Sequence, residues 1–119
     1  MKYRYLGRSG LLVSRICLGT MTFGNADWGC DLETSRAIVD AFIDAGGNFI
    51  DTADMYSGGE SERMLGAIVK DHRRDDLVIA SKAWFPTGAA PTARGLSRKH
   101  LVEACEASLK RMGIETIDL

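Results

Sequence analysis

Apolar residues recur along this chain with two periods, and the period switches several times. Tyr3 to Leu6 and Leu11 to Ser14 flank Gly7-Arg8-Ser9-Gly10, which predicts a hairpin with a glycine at each end of its turn. Arg15 to Leu18 (RICL) predicts a short strand ending at Gly19. Ile38, Ala41, Phe42 and Ala45 then fall on one helical face, with Asp31 placed to cap the helix and Gly46-Gly47 to stop it. Asn48 to Asp51 predicts a second strand, and a helix from about Ser61 to Lys70 turns Met64, Leu65 and Ile68 inward. Leu77 to Ser81 (LVIAS) is continuously apolar, as in a strand covered on both faces. Ser97 caps a third helix whose stripe is Leu101, Ala104, Cys105, Ser108 and Met112, and Gly113 ends it. Thr116 to Leu119 (TIDL) has the pattern of a fourth strand just beginning.

After the hairpin the order is βαβαβαβ, which implies an α/β fold of parallel strands joined by helical crossovers. An open dinucleotide-binding sheet would place G-x-G-x-x-G after its first strand. Here that turn reads Gly19-Thr20-Met21-Thr22-Phe23-Gly24, which does not fit. The other closure is a (β/α)8 TIM barrel, which takes about 250 residues. The chain has 119. The expectation is therefore a partial barrel: the hairpin, about three βα units and the start of strand four, with residues 1–119 as the N-terminal piece of one domain. Its last strand edge would be open, which argues against independent stability.

Composition narrows the function. The chain is 45% hydrophobic and 26% charged with net charge −1, which suits a globular protein and offers no basic surface for nucleic acid or anionic membrane. Its apolar runs are too short to span a bilayer, and MKYRYLGRSGLLVSR has no leader pattern, so a cytoplasmic location is expected. Cys17, Cys30 and Cys105 show no C-x-x-C pairing and read as reduced thiols. No His/Cys/carboxylate spacing suggests a metal.

The chemistry concentrates where strands end, as it does in parallel α/β folds. In NFIDTADMYSGGESERMLG (48–66) an apolar strand delivers Asp51, and the loop behind it carries Asp54, Tyr56 and two glycines. The next strand ends in Ser81-Lys82, with Trp84 beyond. Asp51, Tyr56 and Lys82 thus leave neighbouring strand ends and should converge. A free phenol ionises near about 10 and is a reluctant acid at neutral pH. A unit charge about 4 Å away is worth roughly 4 kcal/mol at an effective dielectric of 20, so Lys82 would make the phenol a readier donor while Asp51 holds the lysine charged. Such a donor protonates a developing alkoxide, the acid half of carbonyl reduction. The hydride must come from a cofactor. The competing readings are a structural Asp51–Lys82 ion pair and a packing tyrosine. Asp54 reads as a cap or loop residue. Phe23, Trp28 and Trp84 could line an apolar mouth, Trp84 best of the three. His72 sits in a mixed-charge turn and His100 reads as exposed. Ser57-Gly58-Gly59-Glu60 has the spacing of a capping box, and Phe85 to Leu96 reads as an active-face loop.

The stretch D-T-A-D-x-Y-x-x-G-x-S-E closely resembles the aldo-keto reductase family. So do MKYRYLGRSGLLVSRICLGTMTFG, VIASK and GLSRKHLVEACEASLKRMGIETIDL, which together span essentially the whole chain. The resemblance implies a (β/α)8 barrel that reduces aldehydes and ketones with NADPH, less often NADH. It implies Tyr56 as proton donor, Lys82 as its activating lysine and Asp51 as the paired aspartate. Gly19, Thr20 and Met21, together with Asp51, would lie beside the nicotinamide ribose. The family's further catalytic histidine follows an I-D-L sequence on strand four, and here the sequence stops at that I-D-L. Neither His72 nor His100 matches its position, so the isolated chain is expected to have little activity. Some relatives of the family are accessory subunits of potassium channels, which makes a cofactor- or partner-binding subunit the alternative.

Overall fold

The computed structural model describes residues 1–119. Tyr3–Tyr5 (β1) and Leu12–Ser14 (β2) pair antiparallel in the expected hairpin. Asn48 fastens it to the main sheet, accepting from Ser14 N at 2.7 Å and donating to Leu12 O at 3.2 Å. Three strands follow: Leu18–Gly19 (β3), Phe49–Asp51 (β4) and Val78–Ala80 (β5). They form one parallel sheet in the order β3-β4-β5, with Gly19 opposite Asp51 and Asp51 opposite Ala80. The first strand starts later than the RICL pattern predicts. Ile16 and Cys17 are exposed, so the apolar run there is not what the sheet buries.

Leu32–Asp44 (α1) and Glu60–Val69 (α2) are the crossovers, and Arg98–Met112 (α3) follows β5. Asp31 caps α1 as expected: its carboxylate accepts from Thr34 N at 2.8 Å. That bond also holds the Asp31 carboxyl below its usual range. Ser97 caps α3 by accepting from His100 N. The inner face of α1 differs from the apolar stripe in the sequence. Ser35 and Val39 are buried and Phe42 and Ile43 pack on the core, whereas Ile38, Ala41 and Ala45 face outward. Small Ser35 fits there because its hydroxyl bonds to Cys30 Sγ at 3.3 Å and to Met64 Sδ at 3.9 Å. The stripe of α3 is likewise rotated: His100, Ala104, Ser108 and Met112 are buried, and Leu101 and Cys105 are exposed.

The core lies between the sheet and the helices. Ile50 and Ile79 of the sheet meet Val39, Leu65, Ile68, Val69 and Met112 from the three helices. Helices α2 and α3 touch at Gly66, where an added Cβ would lie 2.1 Å from Met112 O and 2.5 Å from its Cα. Alanine favours helix by about 1 kcal/mol over glycine. The clash with backbone outweighs that preference, so Gly66→Ala is expected to destabilise the fold by about 1–3 kcal/mol. A lower urea midpoint would record the loss.

The expected fourth strand, Thr116 to Leu119, docks on the free edge of β5 without a regular ladder. Ile79 O accepts from Asp118 N at 2.9 Å, and Ser81 N donates to Leu119 O at 3.0 Å. Between them the Asp118 carboxylate, not a main-chain carbonyl, accepts from Ile79 N at 2.8 Å. No closed barrel forms from these strands; the fold is a parallel sheet with βα units, part of a TIM barrel.

Candidate active site

The carboxyl ends of β3, β4 and β5 bring the expected trio together. Lys82 extends from the end of β5 and uses three donor directions. Its Nζ donates to Asp51 Oδ2 at 2.7 Å, to Thr52 O at 2.9 Å and to Tyr56 Oη at 3.1 Å. The same ammonium lies 4.8 Å from the centre of the Tyr56 ring. Desolvation would pull the lysine down. The hydrogen bonds that Lys82 donates to Asp51 and Tyr56, with the Asp51 charge, outweigh that pull and hold the lysine above its usual value. Lys82 is therefore a fixed cation. Cys17 sits beside the pair: although the residue is exposed, its thiol is partly desolvated and so raised, the Asp51 charge adds to the rise and Lys82 opposes it.

Tyr56 opens a tight 3-10 turn, Tyr56–Gly59. Ser57 at φ 51°, Gly58 at 63° and Gly59 at 88° are left-handed in succession, a path that glycine takes without strain and serine does not. Ser57 is held there by donating to Phe23 O at 3.0 Å. The capping box is thus absent. The Ser57 hydroxyl is committed to Phe23, Gly59 is the N-cap of α2 without a side-chain bond, and Glu60 pairs with Arg63.

The first loop divides into buried and open parts. Thr20 is fully buried: its hydroxyl meets Ser61 Oγ at 2.8 Å and its carbonyl accepts from Ser61 at the same distance. Thr20 N donates to Asp51 O at 3.0 Å. All its polar groups are spent on tying the loop to β4 and α2. Gly19 and Met21 remain exposed beside Asp51, and nothing lies within 4 Å of where a Gly19 Cβ would be. At Gly19 that open edge has room for the close approach of a flat ribose or ring. Of the aromatic residues, Trp84 and Trp28 are exposed, and Trp84 stacks edge-on against Phe85 with ring centres 4.9 Å apart. Phe23 is buried core and lines no mouth.

Beneath the trio lies a layer of buried charge that the sequence reading misses. Glu62 is 0% exposed; it accepts from Ser81 Oγ at 2.7 Å and from Arg111 Nε at 2.6 Å. Its signal was available: Glu62 stands on the inward row of α2 three residues before Leu65. His100, expected at the surface, is buried as well, and so is Asp54. Asp54 caps nothing; Asp54 Oδ2 and His100 Nε2 have no partner in the chain. Both residues line a cavity of about 230 Å³ with Thr87 and Arg111, a space and polarity that suit bridging water. His72 is also more than a solvated turn, since its Nε2 lies 2.8 Å from Asp40 of α1.

Burial pushes the Asp54 carboxyl up, and the Glu62 charge adds to the rise against Arg111 and His100. A carboxyl raised on folding destabilises the fold only where it is ionised. The penalty is absent at low pH and appears as pH rises from the unfolded value of 3.8 through the folded one. Asp54→Asn is therefore expected to raise the melting temperature near pH 7, with the gain vanishing near pH 3. Thermal melts across that range check the sign.

The chain matches the Aldo/keto reductase family over residues 15–119. It is 41% identical over its full length to a probable voltage-gated potassium channel subunit beta of Oryza sativa subsp. japonica. It is 42% identical, over 98% of its length, to a putative subunit of the same kind from Schizosaccharomyces pombe. It spans only 36% and 35% of those two relatives. Its fold superposes on the crystal structure of a thermostable aldo-keto reductase bound to the inhibitor epalrestat, with TM-score 0.79 and 34% identity, covering 98% of this chain and 40% of that one. A family match across most of the sequence, on a sheet whose strand ends gather aspartate, tyrosine and lysine, makes this chain a member of the aldo/keto reductase family.

Proposed function

We propose that residues 1–119 are the N-terminal part of a single barrel domain that reduces aldehyde and ketone carbonyls with NADPH, NADH being the alternative donor. The observation that carries this reading is the direction of one hydrogen bond. Lys82 donates to the phenol oxygen of Tyr56, so the phenol's own hydrogen is not spent on the lysine and has no acceptor in the chain. It is free to pass to a carbonyl oxygen arriving at the strand ends. When bound, the nicotinamide supplies the hydride. Tyr56 is then the acid, Lys82 the cation that stabilises the phenolate left behind, and Asp51 the group that orients Lys82. Gly19 and Met21 offer the open edge for the nicotinamide ribose, Thr20 holds that edge in place, and Asp51 borders it. The Trp84–Phe85 pair offers an apolar wall for the substrate.

The relatives named as potassium channel subunits support a second reading, a cofactor-binding accessory subunit with slow chemistry. Since the chain spans about a third of those relatives, activity is expected only when the rest of the barrel is present. Joining residues 1–119 to the remaining part of the Oryza relative and following NADPH oxidation with simple aldehydes tests the proposal. Turnover supports the reductase. Cofactor binding without turnover by any aldehyde or ketone leaves the accessory-subunit reading. The chain alone is expected to oxidise no NADPH under the same conditions. No helix is long and apolar enough to cross a membrane, and a cytoplasmic setting is part of the same proposal.

A further inference from the structure

Lys82 hangs from a strand end, yet its three acceptors come from β4 and from the turn that follows it. Something must hold that turn and the end of β5 at a fixed separation. The contacts that do so run through one buried carboxylate. Glu62, at 0% exposure, takes the hydroxyl of Ser81, the residue immediately before Lys82, at 2.7 Å. Its other oxygen takes Arg111 Nε of α3 at 2.6 Å, and Arg111 Nη2 donates onward to Ser108 Oγ at 3.0 Å. The Arg111 side chain passes directly under the Tyr56 turn: a Cβ on Gly59 would lie 2.8 Å from Arg111 Cδ. The turn also meets the strand end through Asp54 N, which donates to Lys82 O at 3.2 Å. One ion pair thus touches the β5 end on one side and underlies the phenol-bearing turn on the other.

We infer that Glu62 and Arg111 are positioning residues, which set the separation of Lys82 from Tyr56 by clamping Ser81 and the turn at Gly59 to α3. The inference rests on the reading of Lys82 and Tyr56 as the proton-donating pair, but its test does not need turnover. A buried ion pair is expensive to desolvate, and replacing both partners with apolar residues is often neutral or stabilising. A pair kept only for stability would therefore be replaceable, whereas a clamp would not.

The test uses the 119-residue chain labelled for NMR. Two signals report the trio: the titration of Lys82, which lies above the usual lysine range, and the nuclear Overhauser contact between the Lys82 side chain and the Tyr56 ring. Ser81→Ala cuts one hydrogen bond and changes no charge. It is expected to move the Lys82 titration down toward an ordinary lysine and to weaken the contact with the ring. The double variant Glu62→Met/Arg111→Met leaves the net charge unchanged, so a simple change of field is nearly cancelled. It is expected to keep a cooperative melt and still lose the Lys82–Tyr56 contact. Unchanged Lys82 signals in Ser81→Ala would overturn the inference, as would a folded double variant with wild-type signals. Should the double variant not fold, Ser81→Ala alone decides. Failure of the reductase reading shows separately, as absence of turnover in the completed barrel with the Lys82 signals intact.

Discussion

Tyr56→Phe is expected to slow carbonyl reduction by roughly 10²–10⁴-fold in the barrel completed with the rest of a relative. That factor corresponds to about 2.7–5.4 kcal/mol of transition-state stabilisation. Phenylalanine keeps the ring that packs over the Lys82 ammonium and removes only the hydroxyl. The alkoxide formed by hydride delivery would then meet no acid at the strand ends. Lys82 is a poor substitute, because Asp51 and Thr52 O still take two of its hydrogens and the Asp51 bond and charge still hold its proton in the variant. The loss should fall on kcat, with the KM for NADPH little changed, since the exposed edge at Gly19 and Met21 lies on β3 and the loop after it and is untouched. A fully active phenylalanine variant would remove Tyr56 from the mechanism. For a channel-type accessory subunit, the same substitution would leave partner affinity unchanged.

The trio was legible in the sequence because its geometry is local to strand ends. Once 48–51 and 77–81 are strands of one parallel sheet, Asp51 and Lys82 must emerge side by side, and five residues of turn suffice to bring Tyr56 back. The register agrees, with Asp51 opposite Ala80, two residues before Lys82. The elements were legible for a similar reason: caps at Asp31 and Ser97 are written within three residues of the backbone they satisfy.

What stayed hidden depends on partners far along the chain. The inward place of Glu62 on α2 is local, but the partner that makes its burial tolerable, Arg111, reaches it from 49 residues away, and no local pattern announces that meeting. His100 is buried as well, on a cavity it shares with Asp54 and Thr87 from distant loops, although its place in a first helical turn suggests solvent. The inner face of α1 departs from the apolar stripe because a polar residue takes an interior place. Ser35 outcompetes Ile38 for the interior through two sulfur neighbours, Cys30 and Met64, that only the fold brings near. The missing capping box has the same origin, since Ser57 is drawn off by a carbonyl 34 residues earlier, in the first loop. Polar residues differ from the sequence pattern wherever a distant partner makes their burial inexpensive, whereas the apolar strands Phe49–Asp51 and Val78–Ala80 lie where the pattern puts them because Ile50 and Ile79 anchor them in the core.

Leu65→Ala is expected to destabilise the core by about 2–5 kcal/mol. Leu65 is fully buried at the middle of α2, in one cluster with Ile50 and Ile79 of the sheet, Val39 of α1 and Met112 of α3. Its neighbours cannot close over the gap: Gly66 beside it is already in backbone contact with Met112, which fixes the distance between α2 and α3. Domains of this size are stable by about 5–15 kcal/mol even when their edges are covered. Here β5 is covered on its free edge only by the irregular Thr116 to Leu119 segment, so the net stability should lie at or below the lower end. Loss of Leu65 should therefore leave a substantially unfolded population in water at room temperature, seen as loss of near-ultraviolet circular dichroism and a urea midpoint near zero. Ile38→Ala supplies the contrast, because the sequence stripe puts Ile38 in the core and the structure puts it outside, at 38% exposure. It should change stability by no more than about 0.5 kcal/mol, as for other surface sites. If the two substitutions cost the same, the packing of α1 and α2 described above is wrong, and with it the platform that holds Asp51 and Lys82 side by side.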